Sequence, residues 1–248
     1  NYTVDSLGGD LRLSHPIFEF SRWHLTYRLT RDRISDVDMN ASQALRDAEG
    51  TTITSLIEVS MSRDTRDSVF EPTQGSRSGL VLDVAGLGGD SRFMKIVGDT
   101  SYFHPLFWGT VLGARLEAGY GFGFGDDDLP LFERFFLGGP NSIRSRKARN
   151  IGPRDGSGTV VGGTSEVLLN VEYLVPVYSR IRAAAFFDAG NAYGFGTSFD
   201  PTNTREAAGV GIRWFSPFGP IRVDYGFNLD RKKGESGSQF HFTAGTAF

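Results

Sequence analysis

Between Ile221 and Asp230 the chain alternates by parity: Ile221, Val223, Tyr225, Phe227 and Leu229 share one side, and Arg222, Asp224, Asn228 and Asp230 share the other. Successive side chains of a β-strand point to opposite faces, so this segment makes a strand with one apolar and one charged face. The pattern repeats in Leu112, Ala114, Leu116, Ala118, Tyr120 and Phe122 against Arg115 and Glu117, and in Trp23, Leu25, Tyr27 and Leu29 against His24, Thr26 and Arg28. Half-buried strands of soluble sandwiches also alternate. A soluble core, however, would not place arginine beside aspartate on its buried face. The apolar face therefore meets lipid and the charged face a wet lumen, as in an all-β, antiparallel transmembrane barrel of the outer-membrane type. The tail from Phe240 to Phe248 keeps the alternation and ends on an aromatic residue, as a barrel's closing strand does.

Composition narrows the alternatives. Only 39% of the 248 residues are hydrophobic, and no stretch approaches the roughly 20 apolar residues that a membrane-crossing helix needs. The 32 glycines and 21 phenylalanines suit strand bends and interfacial aromatic girdles. A net charge of −3 gives no reason to expect nucleic acid as a partner. The absence of cysteine removes disulfides and thiolate metal sites. His15, His24, His104 and His241 fall on different strands without metal-ligand spacing, so no metal or other cofactor is expected. None of them pairs with a serine or aspartate as a barrel enzyme would require, so no catalytic residue and no enzymatic activity are expected. The run Asp126-Asp127-Asp128 lacks the further ligands of a calcium loop, and the glycines from Gly119 to Gly125 open no helix and make no phosphate loop.

Eleven strand-like runs are predicted, at about 6–15, 21–35, 51–64, 77–88, 92–105, 110–124, 164–175, 181–193, 205–216, 220–230 and 238–248. One set of connections carries proline, at Pro16, Pro72, Pro105, Pro176 and Pro217, and reads as periplasmic turns. The other set, around 36–50, 125–163, 194–204 and 231–237, is mostly longer and polar and reads as outer loops, with Leu87-Gly88-Gly89-Asp90 as a tight exception. This places the carboxy-terminus in the periplasm. Bacterial single-chain barrels close with an even number of strands, and an open edge in lipid leaves backbone groups unpaired. Further strands are accordingly expected before Asn1, where no signal peptide is seen.

Three segments together resemble the BamA-like outer-membrane assembly-factor superfamily, in the family's order. They are the turn from Asp64 to Gly75, the stretch Phe135-Phe136-Leu137-Gly138-Gly139 through Ile143-Arg144 to Pro153, and the run from Phe187-Asp188 through Trp214 and Pro220 to the terminal aromatic. The resemblance covers essentially residues 1–248. It implies the last eleven or so strands of a sixteen-strand barrel, with about five strands and the periplasmic POTRA repeats upstream. It also implies that loop 125–163, too long for a simple connection, folds into the lumen. There its motif, built from Gly138, Gly139, Ile143 and Arg144, would present the arginine to Glu172 and Asp188. Strand parity agrees independently, since Glu172 shares the inward side with Asn170, and Asp188 with Arg182. A plain reading also stands, in which both carboxylates merely line a wet lumen. The family motif commonly continues with glycine and an aromatic residue, where this chain has Ser145-Arg146. That departure predicts an altered bend and an altered seating of the loop.

The resemblance further implies a lateral seam at the closing strand, carried by Phe240, Phe242, Gly245 and Phe248, with Gly245 at its kink. The expected function is folding and insertion of other β-barrels into the bacterial outer membrane, by pairing of their strands with the exposed edge. The expected partners are nascent outer-membrane proteins, the lipid bilayer with its lipopolysaccharide, accessory envelope lipoproteins and periplasmic chaperones. The alternatives are a polypeptide-secretion pore of the two-partner type and a passive diffusion porin, which would lack the loop motif.

Overall fold

A computed structural model describes residues 3–37, 43–125, 128–194, 200, 202–216 and 219–245. Eleven strands run in chain order: β1 Thr3–Phe18, β2 Ser21–Ser35, β3 Gly50–Asp64, β4 Gly75–Gly89, β5 Phe93–Pro105, β6 Val111–Gly123, β7 Ser165–Tyr178, β8 Ile181–Tyr193, β9 Arg205–Ser216, β10 Gly219–Asn228 and β11 Ser238–Ala244. They form one antiparallel sheet in which each strand pairs with its neighbour in sequence. Among the described residues β1 pairs only with β2 and β11 only with β10. The sheet is therefore not closed, and the chain is a partial barrel.

Burial confirms which face meets lipid. On β10, Tyr225 and Phe227 are 41% and 47% exposed while Arg222 and Asp224 are 3% and 0% exposed. Leu112, Leu116 and Tyr120 of β6 are likewise exposed. This inverts the order of a soluble protein, in which aromatic burial would stabilise the fold and charge would face water. Edge-on ring pairs such as Tyr225 with Phe227, 5.1 Å between centroids, lie along the apolar face.

The structure corrects the reading of the proline-bearing turns. Pro16 and Pro176 lie inside β1 and β7, and the chain reverses only at residues 19–20 and 179–180. The ladders shift between Pro16 and Phe18 and between Pro176 and Tyr178. A proline has no N–H to donate, so it is tolerated in a strand where a bulge already interrupts the ladder. Pro105 is the last residue of β5, and Pro72 does sit in a turn. Pro217 and Phe218, like Asp126, Asp127 and Phe248, lie outside the described residues.

The turn at 65–74 is internally braced, because the Asp67 carboxylate accepts from the Thr73 and Gln74 amides at 2.9 and 3.2 Å. From there Glu71 reaches Arg182 at the start of β8, 2.7 Å away. A turn joining β3 to β4 is thus tied to the inner face of a strand four positions along the sheet. The side chains are 12% and 33% exposed, so the pair contributes about 1 kcal/mol at most. Glu71→Gln should increase protease cleavage within 66–73 without changing the thermal unfolding of the barrel by more than a few degrees, measured on the purified protein in detergent.

Candidate functional site: an arginine clamp in the lumen

Residues 128–163 of the loop double back before they meet the wall. Leu137 and Ile151 exchange two backbone hydrogen bonds of 3.0 Å, and Phe135 and Gly163 exchange another pair at 2.9 and 2.8 Å. Gly138 and Gly139 make the sharp bend at the tip, with φ of 100° and 108°, a region that a side chain disfavours. A Cβ on Gly138 would also lie 2.4 Å from the Lys147 carbonyl oxygen. The Gly138 amide donates to Ser142 Oγ and the Gly139 amide to the Arg146 carbonyl, closing the turn. Ile143 then plugs into a small apolar cluster with Leu137, Ile151, Leu168 and Ala207, and is fully buried. That anchor fixes where the next residue points.

Arg144 is 1% exposed. Asp188 of β8 accepts from its backbone amide at 3.0 Å, from Nε at 2.9 Å and from Nη2 at 2.5 Å, a side-on bidentate fork with one further bond. Nη1 donates to Glu172 of β7. Arg144 Cζ lies over the Phe186 ring, 3.6 Å from its centre, a cation–π contact strengthened by the exclusion of water. Asn170 completes the inner ring, donating to Asp188 at 2.7 Å and to the Ser142 carbonyl at 2.9 Å.

The structure thus brings Arg144, Glu172 and Asp188 together, and it adds residues that parity alone did not pair. Arg213 of β9 bonds to Glu172 at 2.7 Å and lies 2.7 Å from Asp224 of β10. Arg222 approaches Asp224 at 3.4 Å and reaches up to Asn141 and the Pro140 carbonyl of the loop. Three arginines (144, 213 and 222) therefore face three carboxylates (172, 188 and 224), all of them at most 4% exposed. The cluster is neutral overall. That balance matters, because a buried charge without its partner is far costlier than the pair. The alternating inward parity of Arg222 and Asp224 was visible in the sequence, but nothing there showed which residues they would meet.

Gly226 of β10 is the other unforeseen member. A Cβ at this position would lie 2.5 Å from the Arg144 carbonyl oxygen and 2.9 Å from the Ser145 nitrogen. The loop backbone rests directly on the strand backbone there. Ser145, in place of the family's glycine, is not among the non-glycine residues with positive φ, so it needs no strained bend. Arg146, in place of the aromatic, is buried and turns toward the β10–β11 connection.

The closing-strand residues do not join this cluster. Phe240 and Phe242 are 55% and 63% exposed on the lipid side. Gly245 follows the end of β11 with φ of 87°, and its amide donates to the Pro220 carbonyl at 2.9 Å. His241, on the opposite side of β11, turns inward toward the Arg144 backbone. Among the described residues no group of His, Asp and Glu has the arrangement of a metal site.

A membrane-spanning antiparallel sheet whose lumen grips an arginine-bearing loop defines a class of outer-membrane barrel with a folded-in loop. Residues 1–248 match the family model of the Omp85 superfamily domain, and the chain belongs to that superfamily. It is 34% identical, over its whole length, to the outer membrane protein assembly factor BamA of Nitratidesulfovibrio vulgaris, of which it covers 32%. BamA of Neorickettsia risticii is 32% identical over 94% of this chain, which covers 33% of that protein. The chain spans about a third of the length of these curated relatives. Among solved structures, BamA from Haemophilus ducreyi lacking POTRA domains 1–3 superposes with a TM-score of 0.85 at 20% identity, covering 97% of this chain and 54% of that one.

Proposed function

We propose that this chain is the carboxy-terminal part of a non-enzymatic assembly factor that folds and inserts β-barrel proteins into the bacterial outer membrane. In this reading it supplies the last eleven strands of a sixteen-strand barrel, with the first strands and POTRA repeats upstream and the carboxy-terminus in the periplasm. The reading rests on the family, on the relatives that carry the assembly-factor name, and above all on one observation. The luminal loop is bonded to β7, β8 and β10 and shares an apolar cluster with Ala207 of β9, while among the described residues β11 pairs with β10 over seven residues.

The division of labour follows from the energetics. The neutral charge cluster makes one side of the barrel rigid. β11, whose described ladder ends before the bend at Gly245, is the weakly held element, and glycine at such a bend gives the ladder nothing to pack. The edge of β11 can then part from the first strand of the barrel and offer its unpaired N–H and C=O groups to a strand of a nascent outer-membrane protein, by β-augmentation. Each bond formed replaces one that the incoming strand could not leave unmade in lipid, so no nucleotide or metal is needed. Lipopolysaccharide and phospholipid surround the apolar face, and envelope lipoproteins and periplasmic chaperones deliver the substrate.

Depletion of the full-length protein in its own bacterium, followed by quantification of the other outer-membrane barrels, tests this. Loss of many unrelated barrels, restored by the wild type, is the expected result. Loss of a single secreted partner with the other barrels intact would instead establish a polypeptide-secretion pore.

A further inference from the structure

Above the main cluster lies a second, separate set of charges. Arg146, 5% exposed, lies 2.7 Å from Glu235 and 3.7 Å from Asp230, and donates to the Asn228 side chain at 3.2 Å. All three partners belong to the end of β10 and the connection to β11. Arg205, the first residue of β9, shares the same two carboxylates, with Nε 2.9 Å from Asp230 and Nη2 at 2.6 and 2.7 Å from the two oxygens of Glu235. The connection is also ordered from within. The Lys232 amide donates to Glu235 at 2.7 Å and the Asn228 side-chain amide to the Ser236 carbonyl at 3.2 Å, while from β9 the Glu206 amide donates to Asp230 at 3.0 Å. Two guanidinium groups, one from the loop and one from β9, therefore hold one turn, and among the described residues Arg146 is its bonded link to the luminal loop.

This position is where the chain departs from the family motif. An aromatic residue there could seat the loop by packing, but it could not bind carboxylates. Ser145 leaves the backbone free to carry the longer side chain without strain, since its φ is not positive.

We infer that Arg146 is a positioning residue that couples the luminal loop to the terminal β10–β11 hairpin, so that release of the loop and loosening of β11 are one event. The inference builds on the proposed assembly function, giving the seam strand a handle on the loop, but its test does not depend on that function. Coupling of this kind is reciprocal: a change at either partner must be felt at the other. A residue that merely packed the loop would loosen the loop alone.

Hydrogen exchange on the full-length protein in lipid nanodiscs separates the two cases, with Arg146→Gln and Glu235→Gln compared to the wild type. The expected result is exchange accelerated about ten- to a hundredfold, the range for losing a hydrogen bond to a charged group, both in 138–151 and in 229–244, in each variant. Arg146→Lys, which keeps the charge but not the fork, should give a smaller acceleration in the same two segments. If Arg146→Gln does not insert, Arg146→Lys and Glu235→Gln carry the test unaided. Acceleration confined to 138–151 in the Arg146 variants and to 229–244 in Glu235→Gln would overturn the coupling, and so would no acceleration in either. Neither result bears on whether the protein assembles barrels, which is read by depletion.

Discussion

Arg144→Ala should destabilise the folded protein by about 3–5 kcal/mol, the cost of removing one member of a buried ion network. The loss is large because of what stays behind. Glu172, Asp188 and Asp224 would face only Arg213 and Arg222, leaving one negative charge uncompensated in a space where each residue is at most 4% exposed. Asp188 suffers most, since it loses both guanidinium bonds, from Nε and Nη2, and keeps as donors only the backbone amide of residue 144 and Asn170 among the described residues. The strand ladders do not depend on Arg144, so the wall should persist while loop 128–163 leaves the lumen and becomes open to protease. Asp188→Asn in the Arg144→Ala background removes the excess charge and should recover part of the stability, making the two changes non-additive. Arg144→Lys should fall between, because an ammonium cannot make the side-on fork or stack on Phe186. Urea unfolding in detergent with limited proteolysis of the loop checks all three variants.

Gly226→Ala should produce the same loop release without changing any charge. The added methyl would meet the Arg144 carbonyl oxygen at 2.5 Å, its carbon at 2.6 Å and the Ser145 nitrogen at 2.9 Å. All three are backbone atoms, so no side chain can swing aside, and the loop can yield only by drawing Arg144 out of its cluster. Overpacking typically costs about 1–3 kcal/mol, and displacement of Arg144 adds part of the cluster's cost. Gly9→Ala on β1 is the control, because a Cβ there meets nothing within 4 Å. It should be neutral or slightly stabilising by reducing the freedom of the unfolded chain. Equal proteolytic exposure of the loop in both variants would show that Gly226 has no special role.

The fold was legible because the lipid face writes itself into the chain at every second residue. The expected runs at 21–35, 181–193 and 205–216 coincide with β2, β8 and β9. Parity also placed Glu172 and Asp188 on the inner face, where Arg144 meets them. It could not supply the partners of Asp224, because Arg213 lies on a neighbouring strand and Arg144 arrives from a loop some eighty residues earlier in the chain. Gly226 was invisible for the same reason: a glycine required by a backbone arriving from elsewhere looks like any strand glycine. The prolines misled because residue type marks a place without a donor, which is as true of a bulge as of a turn. In the sequence Arg146 stands out only as a departure from the motif, and its carboxylates sit in a connection whose local sequence gives no hint of a distant cation.

In the proposed mechanism β11 serves as the edge on which other barrels are built. Photo-crosslinkers placed singly at Gln239, His241 and Thr243 of the full-length protein, during assembly of a stalled barrel substrate unrelated to any secretion partner, test this directly. Crosslinks from these positions to one strand of the substrate, shifting in step along it as the probe moves along β11, are predicted. Crosslinks only within the protein itself, while the substrate still reaches the membrane, would contradict it.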